Sequence, residues 1–263
     1  MTKDKISDQM LLDNLPNETE IEQAVEELFI RAKETNLDSF VPSILDISSF
    51  KGKDGKERLF LERTRHVIIS QFLYNFQAIA EIPDSEIENE LNFIFFRRLQ
   101  LLGYSQFWEC TGIQRLLYNL SKVINGKEYD LNYLLDTKYI PVFNIINDIK
   151  GEANINNLSI CKIIESLYFN KIRNAFAHSD FMVDKNAIIL MYGKPKKDLP
   201  FFTIKSGTWD LFYKAFIIFI KAIAKNRAHQ EKYLIENCPI NIQLPGFKNH
   251  TIINTTGRWR FKQ

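Results

Sequence analysis

Residues 208–237 constrain this chain most, because they read as one long helix around which the remaining segments must pack. The most apolar part, LFYKAFIIFIKAIAK, carries Lys214, Lys221 and Lys225 within fifteen residues, which excludes a membrane span. Lys232 continues the series. The four lysines are spaced by 7, 4 and 7 residues and fall on nearly one line of the helix, opposite Phe212, Phe216 and Phe219. Such a row is at least a solvated face. It could also follow a phosphate backbone, which makes the four lysines the expected RNA-binding residues.

Elsewhere the period is again helical. TEIEQAVEELFIRAKE reads as an amphipathic helix on the periphery, within an acidic N-terminal extension and loop over 1–55. LDSFVPSILDISSFKGKDGKE, with Pro42, Gly52 and Gly55, reads as the loop that ends it. The main helical domain spans 56–238. It should contain a helix from about Arg58 to Ala80, a second that starts at Ser85 with Glu88 as a capping box, and a third that follows Gly103. DLNYLLDTKYIPVFNIINDI is helical in pattern but should kink or break near Ile140, ahead of Pro141. LSICKIIESLYFNKIRNAFAH should form one helix, with Ile160, Ile164, Leu167, Tyr168, Ile172 and Phe176 on its apolar arc. FMVDKNAIILMY and FFTIK read as a β-hairpin over about 181–205, and 239–263 as a basic, β-rich tail. The fold class is therefore mainly α: an up-and-down bundle with a small β-hairpin and a short β-rich tail.

Several chemistries lack their usual signatures. The ten glycines include no phosphate-cradling loop, the four histidines form no H-x-x-x-H pair, and the three cysteines form no C-x-x-C. No metal or cofactor is expected. With no apolar leader in MTKDKISDQM and an odd, scattered cysteine set, the expected compartment is the reducing cytoplasm. The formal charge is only +2, but residues 185–263 hold 14 Lys and Arg against 4 Asp and Glu, a local +10 that leaves −8 for residues 1–184. That asymmetry points toward a nucleic-acid partner. Lys248, Arg258, Trp259, Arg260 and Lys262 add a basic and aromatic mixture of the kind used by single-strand binders.

The string RNAFAHSD, residues 173–180, carries the sharpest signal. Arg173 is followed by polar Asn174 and, after four intervening residues, by His178; Ser179 and Asp180 come next. Five residues of unbroken helix would separate Arg173 and His178 by roughly 140°, whereas Asn174 and His178 are i, i+4 neighbours. Asn174 is thus placed to orient the imidazole. Ser179 and Asp180 are supporting candidates whose simplest role is to hydrogen-bond the helix end.

This string, with the order of helices from about Arg58 to Asn237, resembles the HEPN superfamily, whose signature is an arginine, often followed by a polar residue, and then a histidine after four to six intervening residues. The resemblance implies a helical bundle and a metal-independent endoribonuclease that acts as a homodimer with a composite site at its two-fold interface. It also implies a toxin or antiphage role, with an antitoxin or regulatory protein as partner. In branches paired with a nucleotidyltransferase antitoxin a tyrosine often lies two residues after the histidine; here that place is Asp180, so tyrosine modification is not implied. On this resemblance Arg173, His178 and Asn174 form the catalytic set. The residue types suit the reaction. Attack by a ribose 2′-hydroxyl needs a base, an acid and positive charge near the phosphorane, and two copies of an arginine–histidine pair supply all three. The remaining alternative is a noncatalytic HEPN-like module that binds RNA, nucleotide or protein.

Overall fold

A computed structural model describes residues 8–51, 53–54, 56–61, 90–134, 140–191, 202–244, 247, 249–255 and 258–262. It is mainly helical, with three small antiparallel sheets among these residues. The helices are α1 (Asp8–Asp13), α2 (Glu18–Thr35), α3 (Leu37–Leu45), α4 (Glu90–Glu109), α5 (Thr111–Ile124), α6 (Val142–Ile155), α7 (Ser159–Leu167), α8 (Asn170–Ala177) and α9 (Ser206–Glu236). The strands are β1 (Ile47–Lys51) with β2 (Glu57–Leu61), β3 (Phe181–Val183) with β4 (Ala187–Leu190) and β5 (Phe202–Lys205), and β6 (Ile240–Ile242) with β7 (His250–Thr255) and β8 (Arg258–Lys262).

The long helix α9 forms the axis. Phe212, Phe216, Phe219 and Ile223 are fully buried on it, and α2 packs along its length. The Asn17–Glu20 capping box starts α2, and Ile21, Val25, Leu28, Phe29 and Ala32 are all at 0% exposure. The expectation of a peripheral helix is corrected: α2 is a core element that touches α9, α5, α7 and α3. Each fully buried Phe or Leu stabilises the fold by roughly 1.5–3 kcal/mol, so this face outweighs the acidic outer side. An aromatic cluster joins α4 to α9, with the Tyr104 ring centroid 5.0 Å from Phe216 and that of Phe107 5.2 Å from Phe216.

In the expected loop over 37–57, residues 37–45 are helix and 47–51 strand, while 53–54 are turn. Asn36 caps α3 by accepting from the Ser39 N–H at 3.0 Å, and Phe40, Val41, Ile44 and Leu45 are buried. Burial of that face overrides Pro42 inside the helix. Asp46, in the left-handed region at φ 49°, then turns the chain into β1. Its carboxylate accepts from Arg115 Nε at 2.9 Å, and the same fully buried guanidinium donates from Nη2 to the Tyr129 hydroxyl at 2.9 Å and from Nη1 to the Tyr133 carbonyl. Residues 58–61 are strand rather than helix, and 62–80 of that expected helix lie outside the described residues. The Ser85 start of the next helix lies outside them too.

Three other expectations change. The helix expected to begin after Gly103 is continuous through that glycine, and the break falls at Cys110, between α4 and α5. In the Pro141 region α6 begins at Val142, with Pro141 as its N-cap, and the described residues ahead of it, 128–134 and 140, are turn or irregular. The hairpin over 181–205 is a three-stranded sheet: β3 and β4 pair across a turn at 184–186, where Asp184 accepts from the Asn186 and Ala187 N–H groups, and β5 pairs with β4. The β-rich tail is seen as expected, as β6–β8. No helix among the described residues is long and apolar enough to cross a membrane, and the three cysteines are free thiols.

Candidate functional site

The expected single helix over 158–178 is two helices. At Tyr168 and Phe169 the backbone is extended, at φ −101°, ψ 109° and φ −115°, ψ 101°, and α8 sets off on a new axis. Two adjacent aromatics are mediocre helix formers, but the deciding group is distant in sequence. The Tyr104 hydroxyl, in the core, donates to the Leu167 carbonyl at 3.0 Å and accepts from the Phe169 N–H at 2.7 Å. It thereby supplies partners that a continuous helix would have provided from its own backbone. Burial drives the Tyr104 pKa far up, so the hydroxyl keeps its proton.

The short helix α8 presents the motif. Arg173 is 15% exposed, and its guanidinium is held on two sides: Nε donates to Glu109 Oε1 at 3.0 Å, with Nη2 in ion-pair contact with the same oxygen at 2.9 Å, and Nη1 donates to Asn174 Oδ1 at 2.9 Å. Of the five guanidinium N–H groups these hydrogen bonds use two, which leaves at least one on each terminal nitrogen. Glu109 is the last residue of α4, immediately before the Cys110 break, and Ser105 also donates to it at 3.3 Å. Tyr168 completes the cluster. Its ring lies 5.2 Å from Trp108, its hydroxyl donates to Asn170 Oδ1 at 3.1 Å, and burial pushes its pKa up to about 12 against the opposing pull of the Arg173 cation.

His178 is the C-cap of α8 and is exposed. Its place is set by a doubly bonded helix end: the Ser179 N–H reaches the Phe176 carbonyl at 3.0 Å, and the Asp180 N–H reaches Ala175 at 2.8 Å. Ser179 takes the left-handed conformation, φ 58°, that this end requires. The Asp180 carbonyl then accepts from the Met191 N–H at 2.7 Å, which ties the motif to the edge of the β3–β5 sheet. These bonds come from the backbones of Ser179 and Asp180, not from the side chains whose helix-end role the sequence suggests. Asn174, expected to orient the imidazole, instead turns its side-chain oxygen to Arg173, while its backbone carbonyl accepts the His178 N–H at 3.0 Å.

The lysine row lies where the helical spacing puts it. Lys214, Lys221, Lys225 and Lys232 are all exposed along α9. Lys225 lies 3.9 Å from Glu22 of α2, and Lys232 lies 3.8 Å from Glu236. The tail differs from its expected role: Trp259 is buried, so it offers no stacking face, and Lys248 lies outside the described residues. Two side chains of this cluster escaped the sequence pattern, Glu109 and Tyr104. Neither lies near RNAFAHSD in sequence, and an acid at a helix end or a core tyrosine carries no local signal.

Among the described residues no three His, Cys, Asp or Glu side chains group as a metal site would. Compared with known proteins, the chain matches no family model, no curated protein and no solved structure.

Proposed function

We propose that this protein is an HEPN-like endoribonuclease, in which two copies bring their Arg173 and His178 side chains together around one phosphodiester. One His178 takes the proton of the ribose 2′-hydroxyl as its oxygen bonds to phosphorus. The other protonates the departing 5′-oxygen as the P–O5′ bond breaks, so the products are a 2′,3′-cyclic phosphate and a free 5′-hydroxyl. Arg173 holds the phosphate oxygens and offsets the charge of the phosphorane. Asn174 and Glu109 fix the guanidinium for that task.

The observation that carries this reading is an arginine oriented from two sides, with a donor left on each terminal nitrogen, on the same short helix that ends in an exposed histidine. Met182 and Met191, beside the helix end, are 59% and 39% exposed and suit the apolar part of a two-fold contact. A toxic or antiphage role held in check by an antitoxin or other regulatory protein follows from the resemblance of RNAFAHSD.

One observation favours a second reading. The Glu109 carboxylate neutralises Arg173, as it would in a noncatalytic module that binds RNA, nucleotide or protein without cutting. The test is incubation of the purified protein with single-stranded RNA in EDTA. The nuclease reading expects 2′,3′-cyclic phosphate ends, and expects Arg173→Ala and His178→Ala to stay folded and inactive. Wild-type cleavage by both variants refutes the site, and binding without cleavage from pH 6 to 9 establishes the module.

A further inference from the structure

The C-terminal sheet has two different faces, and Trp259 determines which is which. Its indole Nε1 donates to Glu231 of α9 at 3.2 Å, and two residues on, Phe261 turns to the same side, 5.5 Å from His250. Ile252, opposite Phe261 on β7, is fully buried beneath them. Strand alternation then sends Arg258, Arg260 and Lys262 to the other side, where all three are exposed. Residues two apart on one strand face are about 6.8 Å apart, a pitch comparable to that of successive phosphates in an extended single strand.

The surroundings are neutral. The cross-strand partners of Arg258, Arg260 and Lys262 are Thr255, Ile253 and Thr251, and Thr251 is hydrogen-bonded to Asn241 of β6. From Pro239 to Gln263 the chain contains no Asp or Glu. Among the described residues none of the three cations takes part in an ion pair. They differ in this from Lys225, Lys232 and Arg173, each of which lies beside an acid.

We infer that the exposed face of β8 is a docking surface for the backbone of single-stranded RNA, with Arg258, Arg260 and Lys262 each taking one phosphate. The choice of RNA rests on the nuclease reading, but the surface lies outside the Arg173–His178 cluster and does not require cleavage. Cations on an edge strand also discourage pairing with another chain, a role that leaves RNA affinity untouched.

The test is fluorescence anisotropy with a labelled 12-nucleotide oligouridylate over a range of salt concentrations. The triple variant Arg258→Gln, Arg260→Gln, Lys262→Gln should bind about tenfold or more weakly at low salt. Its plot of log affinity against log salt should lose about 2 from the slope, at about 0.7 per phosphate contact on a single strand. Lys262→Gln alone should lose about 0.7, which covers the case of a misfolded triple variant. Cleavage is scored on the same wild-type protein, so a failure of the nuclease reading registers as RNA bound but not cut, whereas a failure of this inference registers in the slope of the triple variant. An unchanged slope in the triple variant, or no binding by the wild type, overturns the inference. So does loss of binding to phosphatidylserine vesicles with RNA affinity preserved, which would identify a membrane surface as the partner.

Discussion

Tyr104→Phe isolates the contact that shapes the site. The substitution removes one oxygen and leaves the ring, so the aromatic packing against Phe216 and Phe212 persists and no side-chain-sized cavity opens. What disappears is the pair of hydrogen bonds to the Leu167 carbonyl and the Phe169 N–H at the α7–α8 break. A backbone group stripped of its partner away from water costs about 1–3 kcal/mol, so two together should cost about 2–6 kcal/mol. Urea unfolding followed by circular dichroism should show the midpoint fall with little change in slope. Because α8 takes its direction from this break, RNA cleavage should fall further than the loss of folded protein explains, measured where the variant is still fully folded. A cost under about 0.5 kcal/mol with unaltered cleavage would refute the claim that Tyr104 makes the break, since it would mean that water or the chain itself satisfies both groups.

The pair Arg115–Asp46 should be costly to split: Asp46→Ala leaves a buried guanidinium unpaired and should destabilise by about 3–5 kcal/mol in chemical denaturation. Ser179→Gly should be neutral or slightly stabilising, whereas Ser179→Val should cost about 1–2 kcal/mol, because a branched side chain resists the positive φ. Removing the Arg173 partner should grade the activity: Glu109→Gln keeps an acceptor and Glu109→Leu does not, so cleavage should fall from wild type to Gln to Leu, with each variant's stability within about 1 kcal/mol of wild type. The raised Tyr168 pKa gives a pH dependence of definite sign. The neutral phenol is favoured in the folded state, so its contribution is complete below the ordinary value of 10 and is lost as pH rises through about 12. Tyr168→Phe should make stability decline less steeply over that window.

What the sequence discloses divides along physical lines. The extent of α9, the strand character of the tail and the break at Pro141 were legible, because periodicity and proline act within a few residues. The loop reading failed over 37–51 because Pro42 weighs heavily in local propensity, while burial of Phe40, Val41 and Ile44 is a tertiary effect. The break at Tyr168 was illegible for the same reason, since its cause lies 64 residues earlier, at Tyr104. At the site, Arg173, Asn174 and His178 stand out by spacing, but their arrangement does not. Helical geometry pairs Asn174 with His178, whereas Glu109 orders Arg173 so that the Asn174 oxygen turns the other way.

The charge asymmetry between the two parts of the chain has a consequence that the totals conceal. The acidic N-terminal segment folds as α2 directly against basic α9, and the Lys225–Glu22 approach shows the two meeting at the surface. Part of the lysine row is therefore compensated within the molecule, and its field toward an approaching polyanion is weakened within a Debye length of about 8–10 Å. The C-terminal sheet has no such counterweight among the described residues: its strands contain no acid, and Glu231, which is bonded to Trp259 of β8, lies on the opposite face. If RNA is held by this protein, the tail should contribute more to the salt dependence than α9 does, residue for residue. Comparing the slopes of Lys262→Gln and Lys225→Gln measures that ranking, and a larger loss for Lys225→Gln would reverse it.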